Sequence, residues 1–171
     1  FGIGETLLVT ANIGVSPWFV LHQGLSFITG YSIGVTTFIV SICVLIFWIP
    51  LSQKPGIGTI MNAIIISVVI DFSFPYLPSP NNIYFQILQV IIGIFIIGIG
   101  SGFYLIANLG PGPRDGLITG LQRKTNVSIT LIRTFIELSA VVIGFYLGGI
   151  LGFGTILYAL GIGFSVSCGL Y

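Results

Sequence analysis

The chain has 171 residues, and only nine are charged: five Lys or Arg and four Asp or Glu. That is 5%, against roughly 25% in an average soluble domain, while apolar residues reach 55% and 24 glycines accompany them. So few charges cannot dress a soluble surface. They exclude a cytosolic globular enzyme, a nucleic-acid binder needing clustered cations and a disordered chain, and they leave a single transmembrane domain over 1–171.

The first apolar run, 1–13, opens at Phe1 inside an apolar stretch, as expected of a first helix lacking its start. Residues 16–29 follow, beginning near Pro17, and are too short to cross a bilayer. Runs at 32–51 and 57–74 approach the roughly 20 apolar residues that a crossing helix needs. Pro50, Pro55, Pro75, Pro78 and Pro80 punctuate the ends and loops, where proline belongs. The run 82–107 is the longest; its GIGSG glycines suit close helix packing. A second short stretch, 112–124, begins near Pro113, and proline suits a first helical turn. Runs 128–149 and 153–171 complete the chain. Six spans and two short re-entrant or interfacial helices are therefore expected.

Sliding the chain by 96 residues aligns its halves without a gap. ANIGVSP at 11–17 falls on ANLGPGP at 107–113, and GIGTI at 56–60 falls on GFGTI at 152–156. Across 1–66 and 97–162 there are 20 identities in 66 positions. The shared Asn, Pro, Thr and Ser keep one offset, which low complexity alone does not produce. We read a duplication, with repeat one at about 1–74 and repeat two at about 82–171. Three crossings per repeat would invert the second relative to the first, a pattern found in transporters. In that topology Lys54, Arg114, Arg123, Lys124 and Arg133 all fall toward one side. The positive-inside rule makes that side, and both termini, cytoplasmic. Trp18 and Trp48 would then sit at opposite interfaces.

Ionisable groups within a membrane are functional candidates. Arg133 and Glu137 lie four residues apart, one turn along a helix face. They form either a substrate- or ion-coupling pair facing the interior, or a structural ion pair with Arg133 reaching the interface. Glu5, in the first span, is a candidate proton carrier. Asp71 reads as a solvated helix-end residue. In GPGPRDGL, 110–117, a helix start after glycines favours an anion. There Arg114 adds a donor for carboxylate or phosphate, and Asp115 is placed to cap or pair. The competing role for both charges is capping and anchoring. Asn12 and Asn108 close the helices before each break; they either satisfy freed backbone groups or line a site. The lone His22 reads as interfacial. Cys43 and Cys168 read as small buried hydrophobes, not as a disulfide or metal pair. No metal-ligand spacing, phosphate loop or nucleophile elbow occurs, so neither an enzyme, a cofactor nor a metal is expected.

The runs ANIGVSPWFVLHQGLSFITGYSIG, IPLSQKPGIGTIMNA and ANLGPGPRDGLITGLQRKT, followed by IRTFIEL, resemble the YczE-like bacterial membrane proteins, relatives of the broader YitT family. The resemblance covers about residues 5–165 and implies a multi-pass bacterial inner-membrane protein; it brings no substrate. One departure is Phe19, where the resemblance leads us to expect an acid after the tryptophan. The expected fold is an all-α bundle in the lipid bilayer. The expected function is secondary or passive transport of a small solute between inverted repeats. A substrate-binding subunit of an ATPase-driven transporter and a non-transport scaffold or regulator are the alternatives. A homodimer is left open.

Overall fold

The computed structural model describes residues 1–170, which leaves Tyr171 of the last expected run outside it. It is helical, with no strand among the described residues. The helices are α1 (Gly2–Ala11), α2 (Pro17–Thr29), α3 (Ile33–Trp48), α4 (Ile57–Ser73), α5 (Ile83–Ala107), α6 (Pro113–Thr125), α7 (Ile129–Tyr146) and α8 (Phe153–Leu170). A short 3-10 turn, Phe74–Tyr76, extends α4. Each helix falls on an expected run to within a few residues.

Their lengths divide them. Ile57–Tyr76, Ile83–Ala107 and Ile129–Tyr146, at 20, 25 and 18 residues, are long and apolar enough to cross a membrane. Together α2 and α3 make a fourth candidate, bent by 113° at their junction. The outward faces are apolar: Phe72, Phe103, Phe135 and Leu160 are each at least two-thirds exposed. Water would penalise such a surface, whereas hydrocarbon accepts it.

The ten-residue helix α1 is the hub. Eight of its residues are buried, so it is covered on nearly every side. It packs on α4 and α5, and α5 packs on α8. Small residues make these crossings close. A methyl on Gly93 would lie 2.4 Å from Leu8 Cδ1, and one on Gly102 would lie 2.3 Å from the Gly169 backbone. Leu8, Ala11, Val15, Val20, Ile70, Val90 and Ile97 form the core.

Local geometry recurs at the 96-residue offset. Asn12 (φ 57°) and Asn108 (φ 48°) end α1 and α5 in the left-handed region, their N–H groups donating to Val9 O and Leu105 O. Both asparagines thus act as helix C-caps, a conformation asparagine tolerates better than most residues. Ser32 and Ser128 cap α3 and α7 by accepting from the N–H three residues on. The halves also exchange bonds: Gly58 N–H donates to Leu109 O (3.0 Å), and Gly154 N–H donates to Ile13 O (2.7 Å). Each repeat's fourth helix begins on the other repeat's break. In keeping with this, α2 packs on α7 and α3 on α6.

Four expectations change. Trp48 is 1% exposed and packs inside the protein at the end of α3. Its Nε1–H donates to Pro113 O at 2.9 Å, and its ring fills the space that Gly116 leaves open. Trp18 lines a cavity, described below. Asp71, half-buried near the end of α4, is also a partner across helices: it accepts from Ser32 Oγ and from Gly34 N–H at 2.8 Å, completing the start of α3. Cys43 and Cys168 are exposed, because in an apolar surround the outward face is as greasy as the core.

Candidate functional site

Two sequence breaks build the site. After α1 the chain turns at Asn12 and Gly14 (φ 117°). It returns alongside α1, so that Ser16, at the start of α2, reaches Glu5. The equivalent break at Asn108 and Gly110 (φ 116°) brings the start of α6 to the same place. The N-terminal ends of α2 and α6 thus meet at one cavity of about 140 Å³. Its polar lining includes Glu5, Ser16, His22, Thr37, Arg114 and Asp115. Tyr104 and Tyr158 close it from α5 and α8, and Val40, Val44, Ala63 and Ile66 supply apolar wall. Two helix N-termini aimed at one volume place positive potential there.

Glu5 is 7% exposed. Its carboxylate accepts from Ser16 Oγ–H at 3.0 and 3.2 Å. The expected coupling residue therefore lines the cavity. Arg114 lies across from it on the first turn of α6. Its Nε is 3.7 Å from Asp115 Oδ1, and its Nη1 is 3.9 Å from Glu137 Oε1. Arg133 Nε donates to the same Glu137 oxygen at 3.1 Å. So Arg114, Asp115, Arg133 and Glu137 form one chain of ion contacts. Only Arg114 and Asp115 reach the cavity wall; Arg133 is half exposed, on the outer side of Glu137.

Asn108 is outside this cavity. Asn12 lines a different one, of about 690 Å³, with Gln23, Ser32, Asp71 and Ser79 at the far end of α1. Among the described residues no cluster of three or more His, Cys, Asp or Glu side chains is placed to hold a metal ion.

His22 corrects its interfacial reading. It is 6% exposed, shares a hydrogen bond between Nδ1 and Thr37 Oγ1 (3.1 Å), and has its ring against Phe19 at 4.9 Å. Position 19 therefore packs on the histidine. Trp18, also on the wall, has a buried Nε1–H with no partner. His22, Trp18, Thr37, Tyr104 and Tyr158 were not legible as site residues in the sequence. One signal was available: Asn62 and Tyr158, 96 residues apart, occupy equivalent places and both line the cavity.

An apolar-faced helical bundle around a cavity that holds a few buried polar side chains defines an integral membrane protein. The chain belongs to the family described as "Family of unknown function (DUF6198)", whose model matches residues 1–169, and it is YczE-like. It is 34% identical over 161 residues to the Bacillus subtilis membrane protein YczE, covering 94% of this chain and 74% of the relative. It is 38% identical over 162 residues to an uncharacterized Haemophilus influenzae protein, covering 95% and 74%. The Bacillus subtilis protein YyaS is 26% identical over 159 residues, covering 91% and 79%. No solved structure matches the chain significantly.

Proposed function

We propose that this chain is a secondary or passive transporter of a small solute in the bacterial inner membrane. It would cross six times as two inverted repeats, with the solute site at the Glu5–Arg114 cavity. The carrying observation is that cavity: it is lined by both halves and sits where two broken helices begin. Broken helices meeting at a repeat interface are how such carriers build a site without unsatisfied backbone.

Several further observations support the topology. The 49–55 turn and the end of α6 lie together, with Lys124 Nζ donating to Pro50 O at 3.4 Å. Phe27, Ser32, Asp71, Ser79 and Ile150 gather at the other end of α1. The cationic residues Lys54, Arg123 and Lys124 belong to the first group, which supports reading it as the cytoplasmic side. In this reading Glu5 carries a coupling proton. Glu137, braced by Arg133, holds Arg114 in position.

A thermal-shift screen of small metabolites against the full-length protein would yield a ligand that stabilises it by mass action. That ligand should then accumulate in, or exchange across, vesicles containing the protein. Uptake unchanged in Glu5→Gln, Arg114→Gln and Glu137→Gln would sink the assignment of the site. Single cysteines replacing Ser52 and Ser79 in a cysteine-free background should be labelled from opposite sides; labelling from one side would sink the topology.

A further inference from the structure

The cavity makes two demands of opposite sign that the protein itself meets only in part. Donors line it, with the Asp115 carboxylate beside them. The Trp18 indole N–H is buried without a partner, and buried donors are almost always paired. The nearest carboxylates to the Arg114 guanidinium stand at 3.7 and 3.9 Å, beyond hydrogen-bond length. The starts of α2 and α6, each a 13-residue helix, add free first-turn amides and positive dipole ends. Across from Arg114, beside the start of α2, is Glu5, a buried carboxylate whose two oxygens share the Ser16 hydroxyl. Two carboxylate oxygens can accept about four hydrogen bonds.

Charge decides what fits. A simple cation at Glu5 meets Arg114 and two helix N-termini. A simple anion at Arg114 meets Asp115 and Glu5. A neutral solute leaves both charges poorly compensated in a low-dielectric site, which is costly. A solute carrying both charges answers both. We infer that the cavity binds a small zwitterion, an α-amino acid, its carboxylate on Trp18 and Arg114 and its ammonium on Glu5. The volume of about 140 Å³ is close to the roughly 150 Å³ that holds a six-heavy-atom ring, which sets the size. Val40, Val44, Ala63 and Ile66 provide an apolar surface for a short side chain. This rests on reading the cavity as the solute site.

The test is calorimetric titration of the full-length protein in lipid nanodiscs at fixed ionic strength with L-alanine, acetate, ethylammonium and glycerol. Alanine should bind at least tenfold tighter than any of the other three. Glu5→Gln and Arg114→Gln should each weaken it about tenfold or more, the scale for losing a charged hydrogen-bond partner, while Lys54→Gln leaves it unchanged. If those two variants fail to fold, Trp18→Phe keeps the test alive: it removes the unpaired donor and should weaken alanine about threefold to tenfold. Acetate or ethylammonium binding as tightly as alanine would overturn the inference. So would folded protein that binds none of the amino acids from glycine to leucine. Alanine binding without exchange across vesicles would remove transport and leave this inference standing. Exchange of another solute without zwitterion binding would do the reverse.

Discussion

Gly116 is where the architecture of the site is most open to a direct test. It lies on the second turn of α6's cavity end, beneath the ring of Trp48. A methyl built there would lie 2.0 Å from Trp48 Cζ2 and 2.4 Å from Cη2. Carbon atoms pack at about 3.5–4.0 Å, so roughly 1.5 Å must be found. The ring cannot supply it cheaply: Trp48 is 1% exposed and its N–H is tied to Pro113 O. The alternative is that α6 moves away from α3 and carries Arg114 with it. Overpacking of this kind costs about 1–3 kcal/mol. At roughly 2–4 °C per kcal/mol for a chain of this size, Gly116→Ala should melt several degrees lower in detergent. It should also bind ligand more weakly. Trp48→Phe alone should destabilise too, by the lost hydrogen bond and part of a ring. In the double variant the smaller ring makes room for the methyl, so the two losses should fall short of their sum by about 1 kcal/mol or more. Simple additivity, or Gly116→Ala melting within a degree of the parent, would refute this account of how α6 is held.

Three further outcomes are expected. Asp71→Ala removes the acceptor for Ser32 Oγ and Gly34 N–H and should cost about 1–2 kcal/mol of stability, the scale of a lost helix cap; Asp71→Asn should recover part of it in the same melting assay. Gly14→Ala and Gly110→Ala each force a side chain into φ near 117° and against the partner repeat's turn. They should destabilise comparably, and a large, one-sided loss would show that the two breaks are not equivalent. Cys43→Ala and Cys168→Ala together should leave the melting temperature within about a degree, since both are exposed and outward substitutions cost little.

The positions of the helices were legible because each signal is local. Apolar runs set lengths, prolines marked first turns, and asparagines marked the helix ends at 12 and 108. Arg133 with Glu137 was legible for the same reason: four residues on a helix is one turn. The cavity was only half legible. Glu5, Arg114 and Asp115 drew notice because charge is rare in this chain, but His22 and Trp18 are ordinary residues for a membrane interface. Nothing in their neighbours tells that the chain doubles back at Gly14 and carries them inside. The same holds for Trp48, whose place depends on Gly116, 68 positions away. For the cysteines, apolar sequence was silent about inward and outward faces, because in lipid both are apolar.

The sequence by itself determined a membrane protein, eight helices, two breaks and a 96-residue periodicity. All of these follow from hydropathy and backbone preference within a few turns of chain. Only the tertiary structure decided that the two breaks face one another, that Glu5 and Arg114 share a cavity, and that Asn12 and Asn108 serve as caps apart from that cavity. Those facts come from packing between segments about a hundred residues apart, where glycine contacts and exchanged backbone bonds choose the partners.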